Sequence, residues 1–351
     1  MSMQVAVLGN GQLGAMLQAA GRRIGIEVTP MDIEHGSMPA PQAIVTTERE
    51  HWPVNPFTSA LQQHPHWLNA RAYAALVDRR HQKQMLDLIG VPTSPWLAPQ
   101  PHTSQADIHA ALGPDVFLKR ASGGYDGRGQ QRLRHEVAVA LEDWAHMAIA
   151  ERAVRFEAEV SLVAARNRAG EIVCYRLVEN HHHQGILLAT LSLEGHYAQL
   201  QAEAEAHMRK VMEHLDYVGV MAIEFFVEDG RLLVNEIAPR VHNSGHWTQA
   251  GAAISQFELH LRAVCDLPLP QPEQYGNTLM LNLIGLPYDV RWLAQGSSQL
   301  HWYGKTCFDG RKMGHLNFFS QQRATLAHSL SQVELPARYQ SARDWVAARL
   351  A

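Results

Sequence analysis

The segment Gly123-Gly124-Tyr125-Asp126-Gly127-Arg128-Gly129-Gln130 constrains this chain most. Four glycines with an acid, a base and a ring predict a mobile backbone that closes over something anionic. Val116-Phe117-Leu118-Lys119-Arg120, a short apolar run ending in two cations, comes just before it. A strand that delivers a lysine to a glycine-rich turn holds nucleotide phosphates, because free backbone N–H groups and a point charge converge on the oxygens. The segment lacks the G-K-[ST] ending of a Walker loop.

At 351 residues the chain is long for one domain, so two or three are expected. A net charge of -4 supplies no basic field for nucleic acid or an anionic membrane. Met1-Ser2-Met3 runs straight into the strand-like Gln4–Leu8, with no signal-peptide pattern, and no later run is long enough to span a bilayer. The expectation is a cytoplasmic protein. Cys174, Cys265 and Cys307 are far apart and form no C-x-x-C, which fits reduced, packing thiols.

Strand and helix alternate through the first ninety residues: a strand at Gln4–Leu8, a helical pattern at Ala15–Arg23, a second strand at Glu27–Met31. The Pro-rich stretch Thr93–Pro101 reads as a linker, and Leu267–Pro272 as a second boundary. The expected domains are a Rossmann-like unit at 1–93, a central unit at 94–266 with a lobe at about 104–150, and a strand-rich unit at 267–351. The fold class is thus α/β joined to α+β. Within the central unit, Ser104 and Ser255 read as helix N-caps, strands fall near Ala148–Glu151, Ala158–Ala165 and Glu171–Leu177, and a long helix spans Ala198–His214.

Gly9, Gly11 and Gly14 match G-x-G-x-x-G, with Asp32 at the spacing of a ribose-binding acid, so an NAD-dependent dehydrogenase is one reading. The pattern reports only a tight turn at a helix N-terminus. A second site is better equipped. Val220–Val227 and Arg231–Ile237 flank Glu228-Asp229-Gly230, and each apolar strand carries an interior carboxylate, Glu224 and Glu236. Lone acids there are costly without a partner. A three-residue loop or a bulge puts the two on one face; a two-residue turn puts them on opposite faces. Facing carboxylates beside Asn235 suit Mg²⁺ carrying phosphates, whereas the plainer alternative is an acid pair bonded to nearby arginines. The donor-rich loop Pro239–Trp247 follows at once.

Together, Gly9–Gly14, Gly123–Gln130, Glu179-Asn180-His181-His182, Asn235–Thr248 and Gly310–His315 resemble the 5-(carboxyamino)imidazole ribonucleotide synthases of the ATP-grasp superfamily. The resemblance runs from residue 5 to about 316, and Ser320–Ala351 adds nothing to it. It implies a Rossmann-like domain, a central ATP-grasp domain with a mobile lid, and a small C-terminal domain. The implied reaction is carboxylation of the exocyclic amine of 5-aminoimidazole ribonucleotide by bicarbonate and ATP, through carboxyphosphate and CO₂, in a homodimer using two Mg²⁺ ions. Competing readings are a formate-dependent glycinamide ribonucleotide transformylase or biotin-carboxylase-like ligase, the dehydrogenase, and a non-catalytic nucleotide-binding regulator.

By family position the resemblance assigns Glu224 and Glu236 to the metal, and Arg79 and Lys119 to the phosphates. Of Arg79 and Arg80 only one can face them, and Asp78 offers the other an ordinary ion pair. Gly124, Gly127, Gly129 and Gln130 belong to the nucleotide lid, with Asn235 beside the metal. Glu151 and Val154 are expected at the adenine edge, Glu159 at the ribose and His182 near the nucleotide. Tyr125, Asp126 and Arg128, with Arg240 and His242, are expected to hold the bicarbonate-derived intermediate. Lys305 and Arg311 grip the substrate phosphate; Gln12, Leu13 and Glu48, with Asn243 and Ser244, lie toward the rest of the ribonucleotide.

Overall fold

A computed structural model describes residues 3–123, 129–134, 141, 143–144 and 146–350. Gly124, Tyr125, Asp126, Gly127 and Arg128, all named above, lie outside the described residues.

Three sheets organise the molecule. The first contains β1 (Met3–Leu8), β2 (Ile26–Met31) and β3 (Ile44–Thr47), all parallel in the order β2-β1-β3. The interior of β1 is an unbroken apolar run because parallel strands are covered on both faces, and Val5 to Leu8 are buried. Helix Gln12–Arg23 connects β1 to β2 and starts three residues before its helical pattern does. Its cap, Gly11, has no side chain to close the first turn.

The second sheet is antiparallel, with β4 (Trp96–Leu97), β5 (Asp115–Arg120), β6 (Gln130–Arg134) and β7 (Ala148–Arg152) in the order β4-β7-β5-β6. Helix Gln105–Leu112 covers it, opened by a reciprocal Ser104–Asp107 capping box. Ile108 and Leu112 pack there against Val116, Leu118 and Leu133. The Pro-rich stretch is tied down at both ends, since Thr93 bridges to Val234 and β4 pairs with β7.

The third sheet takes β8 (Ala158–Arg166), β9 (Ile172–Cys174), β10 (Val178–His183), β11 (Ile186–Ser192), β12 (Gly219–Glu228), β13 (Arg231–Ala238), β14 (Asn277–Ile284), β15 (Ser298–Trp302) and β16 (Lys312–Ser320). Its order is β13-β12-β8-β10-β11-β14-β16-β15, with β9 beside β8. Strands after residue 267 therefore extend the sheet that the central unit begins. Strand β9 is shorter than its sequence suggests because side chains take over beyond it: Gln274 accepts from Arg176 N at 2.8 Å and Gln201 from Leu177 N at 2.6 Å. Helix Ala198–His214 buries Met208, Val211 and Met212 against Ile223 and Phe225. The last residues form helices Arg323–Ser331 and Gln340–Leu350, the latter fastened to the buried Glu179 by Arg349 Nε at 2.8 Å.

Candidate active site

A cleft of about 910 Å³ lies where the three sheets meet. The β12–β13 hairpin forms one wall. Its turn has two residues, Asp229 and Gly230, both with positive φ (51° and 69°), as a tight antiparallel turn of this hand requires. Alone, that turn would set Glu224 opposite Asn235. The register slips instead after Phe225↔Val234, so that Asn235 is the extra residue of a β-bulge and Glu224 pairs directly with Glu236. The bulge thus puts both carboxylates on the cleft side, where both line it.

Burial pushes Glu224 up to about 7; the neighbouring His182 pulls it down and Glu236 pushes it further up. Two facing carboxylates with this much unrelieved negative charge fit a divalent cation that prefers oxygen ligands. Among the described residues no group of three or more His, Cys, Asp or Glu converges as a metal cage. The other ligands would be phosphate oxygens and water.

Cations line the opposite wall. Lys119 Nζ lies 2.5 Å from Glu151 Oε2, and the other oxygen of that carboxylate meets Lys83, which also donates to Thr93 Oγ1. Burial disfavours the Glu151 charge, but Lys119 and Lys83 outweigh it and hold the carboxyl at about 2. Lys83 shifts down, because burial costs its ammonium more than Glu151 returns. Both directions hold together: the carboxylate has two cationic partners and Lys83 has one anionic partner. Sequence reasoning missed Lys83, whose place in helix Arg79–Leu88 looks like a solvated face. Glu151's carboxylate is committed to these lysines and its backbone lies in the sheet, paired with Trp96 and Phe117; Val154 lines the cleft nearby. Arg80 is occupied by Asp78 and the His146 carbonyl, while Arg79 lines the cleft.

Deeper in the cleft, His182 Nδ1 is paired with Glu159. Burial opposes charge on that ring, yet the Glu159 bond and the nearby Glu224 raise it to about 9. His242 differs. Burial, with Arg240 and Lys312 nearby, holds it well below the ordinary imidazole value. Ser244 supplies its backbone N–H at 3.3 Å and its hydroxyl at 2.9 Å to Nδ1. A neutral ring with Nδ1 engaged in this way carries its proton on Nε2, an arrangement suited to donating to an anion. Ser244 is fully buried and acts through His242. Arg240 lines the cleft with Nη2 2.6 Å from Glu50. Both polar atoms of the Asn243 amide, also on the cleft, are buried without a hydrogen-bond partner.

At the glycine turn, Glu48 Oε1 accepts from Gly11 N at 2.5 Å and Oε2 from Gly14 N at 2.5 Å. A dinucleotide pyrophosphate would need those same donors at the helix N-terminus. Asp32 is likewise committed, accepting from Glu34 N, His35 N and Asn10 Nδ2. The turn is therefore filled from within, against the dehydrogenase reading. Gln12 and Leu13 line the cleft, and Lys305 donates to Gln12 Oε1. Arg311 stacks on the Phe308 ring at 4.8 Å and donates to the Thr306 carbonyl; its neighbour Lys312 is the cleft-lining cation. Gly129 and Gln130 line the rim.

Phe156 and Phe226, missed from the sequence, stack at 4.8 Å between ring centroids and 16° between planes on the cleft wall. Strand alternation could have found Phe226, two residues from Glu224 and so on the same face. Glu50 was missed as well. It stands two residues after Glu48, in a segment with no pattern to mark it.

The ATP-grasp domain family model matches residues 84–257, and the phosphoribosylaminoimidazole carboxylase C-terminal domain model matches 278–329. N5-carboxyaminoimidazole ribonucleotide synthase of Escherichia coli (strain K12) is 45% identical over 97% of this chain and 98% of its own length. The Haemophilus influenzae enzyme is 42% identical over 99% and 97%. Among solved structures, N5-carboxyaminoimidazole ribonucleotide synthetase from Thermus thermophilus superposes with a TM-score of 0.84 at 37% identity, covering 95% of this chain and 99% of that one. N5-carboxyaminoimidazole synthase from Aspergillus clavatus, in complex with ADP and 5-aminoimidazole ribonucleotide, superposes with a TM-score of 0.81 at 26% identity over 99% of each chain. With this much of its length shared at this identity, the chain belongs to the N5-carboxyaminoimidazole ribonucleotide synthase family of ATP-grasp ligases.

Proposed function

We propose that this chain joins bicarbonate to the exocyclic amine of 5-aminoimidazole ribonucleotide at the expense of ATP. The observation that carries the reading at the site is the facing Glu224–Glu236 pair, set by a bulge across a cleft from Arg79 and Lys119. Phosphoryl transfer needs charge neutralised and reactants aligned more than it needs a protein nucleophile. Glu224 and Glu236 would hold Mg²⁺, which when bound neutralises phosphate charge. Arg79 and Lys119 grip the phosphates.

A bicarbonate oxygen attacks the γ-phosphorus, the bond to ADP breaks, and carboxyphosphate forms. Arg240 and the Nε2–H of His242 hold that anion. It splits to CO₂ and phosphate; the amine attacks the CO₂ carbon and passes its proton to the released phosphate, which gives the carbamate. Lys305 and Lys312 hold the ribonucleotide phosphate, with Arg311 close by. Gln12 faces the imidazole, and Glu48 braces the turn that carries Gln12. On the same family basis we infer a second Mg²⁺ and a cytoplasmic homodimer.

Bicarbonate labelled with heavy oxygen tests the reading. One label per turnover is expected in the released phosphate, with ATP hydrolysis rising as bicarbonate is added. Unlabelled phosphate, or turnover driven by formate and glycinamide ribonucleotide, would remove it.

A further inference from the structure

Three imidazoles are stacked inward from the cleft-lining His246, His246 on His315 at 4.7 Å and His315 on His301 at 4.5 Å between centroids. His315 is fully buried on β16 and bonded at both nitrogens. Its Nδ1 lies 2.7 Å from the Tyr303 hydroxyl, and its Nε2 lies 2.9 Å from Gln249 Oε1.

The direction of this chain of bonds can be worked out atom by atom. The Gln249 amide nitrogen, a donor, faces Met16 Sδ at 3.7 Å and His301 Nδ1 at 3.3 Å. Its oxygen therefore faces His315, and an amide oxygen only accepts, so His315 Nε2 carries hydrogen. Burial and the two stacked imidazoles keep His315 neutral, which leaves Nδ1 bare. A bare Nδ1 accepts, so the Tyr303 O–H points inward, away from the cleft that Tyr303 lines. Burial also keeps that phenol protonated. Lys305 Nζ stands 5.4 Å from the Tyr303 ring, so the tyrosine sits beside a cation assigned to the ribonucleotide.

We propose that Tyr303 contacts the ribonucleotide as a hydrogen-bond acceptor, taking a ribose O–H or an aminoimidazole N–H, and that His315 is the positioning residue that keeps it an acceptor. The inference rests on the carboxylation reading of this cleft. It makes the site selective for a donor at this point.

The test uses the full chain with ATP, bicarbonate and ribonucleotide. Tyr303→Phe keeps the ring and should raise KM for the ribonucleotide about three- to tenfold, the worth of one neutral hydrogen bond, with KM for ATP unchanged. Ribose 5-phosphate as a competitive inhibitor locates the donor: weaker inhibition of the variant points to a ribose hydroxyl, unchanged inhibition beside a raised KM to an N–H. Nitrogen NMR, assigned with His315→Gln, should show His315 protonated on Nε2 alone. A protonated Nδ1 would overturn its part. Equal ribonucleotide KM in Tyr303→Phe and an active wild type would overturn the contact while leaving carboxylation standing. A wild type that carboxylates nothing would remove the reading beneath both.

Discussion

Two regions of this protein place carboxylates where a nucleotide could be held, and they do opposite things. At the glycine turn, Glu48 takes the N–H groups of Gly11 and Gly14 and fills the helix N-terminus. At the β12–β13 hairpin, Glu224 and Glu236 face each other into open cleft, with Glu224 pushed up to about 7 by burial. The first region carries the more familiar motif and has its Gly11 and Gly14 donors already taken. The second carries no short motif and has charge to spare. Unsatisfied groups, more than motif matches, mark where a ligand goes.

The largest effect that could break this contrast is at the hairpin. Glu224→Ala and Glu236→Ala should each cost several kcal/mol of transition-state stabilisation, on the order of a thousandfold in kcat, with the fold retained. Phosphate release at saturating Mg²⁺ measures it, and near wild-type rates in both variants would erase the distinction.

Next comes the neighbouring acid that is fully paired. Lys83→Met strips Glu151 of one buried partner and should destabilise the protein by about 3 kcal/mol, the low end for a broken buried pair because Lys119 remains. Glu151 titrates at about 2 when folded against an ordinary 4.5. A depressed pKa contributes stability that is complete above pH 4.5 and is lost as pH falls toward 2. In Lys83→Met that acid limb should move toward 4.5, as a pH series of melting temperatures would show. An unmoved limb would mean that Lys119 alone sets the charge.

A smaller cost, about 1–2 kcal/mol, is expected for Glu48→Gln, which trades two charge-assisted acceptors for one neutral one. Calorimetry with NAD(H) should show no binding to the wild type, and heat of binding there would reopen the turn as a cofactor site. Smallest is Lys305→Ala, with KM for the ribonucleotide rising about tenfold and KM for ATP nearly constant. Equal rises in both would shift Lys305 toward the nucleotide.

Much of this was legible in the chain. Carboxylates inside apolar strands stand out because they violate their surroundings, and a lysine ending a strand before glycines announces an anion. The sequence also separates Arg79 from Arg80 as alternatives, though it takes the Asp78 pair to decide between them. The bulge at Asn235 was not legible: its register depends on pairing across two strands, and residue types alone leave several turns open. Nor could Lys83 be seen, since nothing in Arg79–Leu88 says that Glu151 arrives from a strand far along the chain. Glu48 as an internal anion is hidden likewise, because strand β3 meets the turn only after the parallel sheet has formed. Local chemistry can be read along the chain; partners supplied from a distance cannot.

One lamina of hydrogen bonds runs from β13, which carries Glu236, to β15, which carries His301 next to the ribonucleotide side. The facing carboxylates and the strands beside the proposed ribonucleotide side thus share a single plate, like two jaws of a fixed gauge. With the reactants bound as proposed, such a plate would set the gap between phosphoryl group and amine at folding, so a substrate one bond longer would not find room by stretching it. The small β4–β7 sheet, which carries Lys119, shares no strand with the plate. A change of nucleotide should therefore be accommodated more readily than a change in the length of the acceptor.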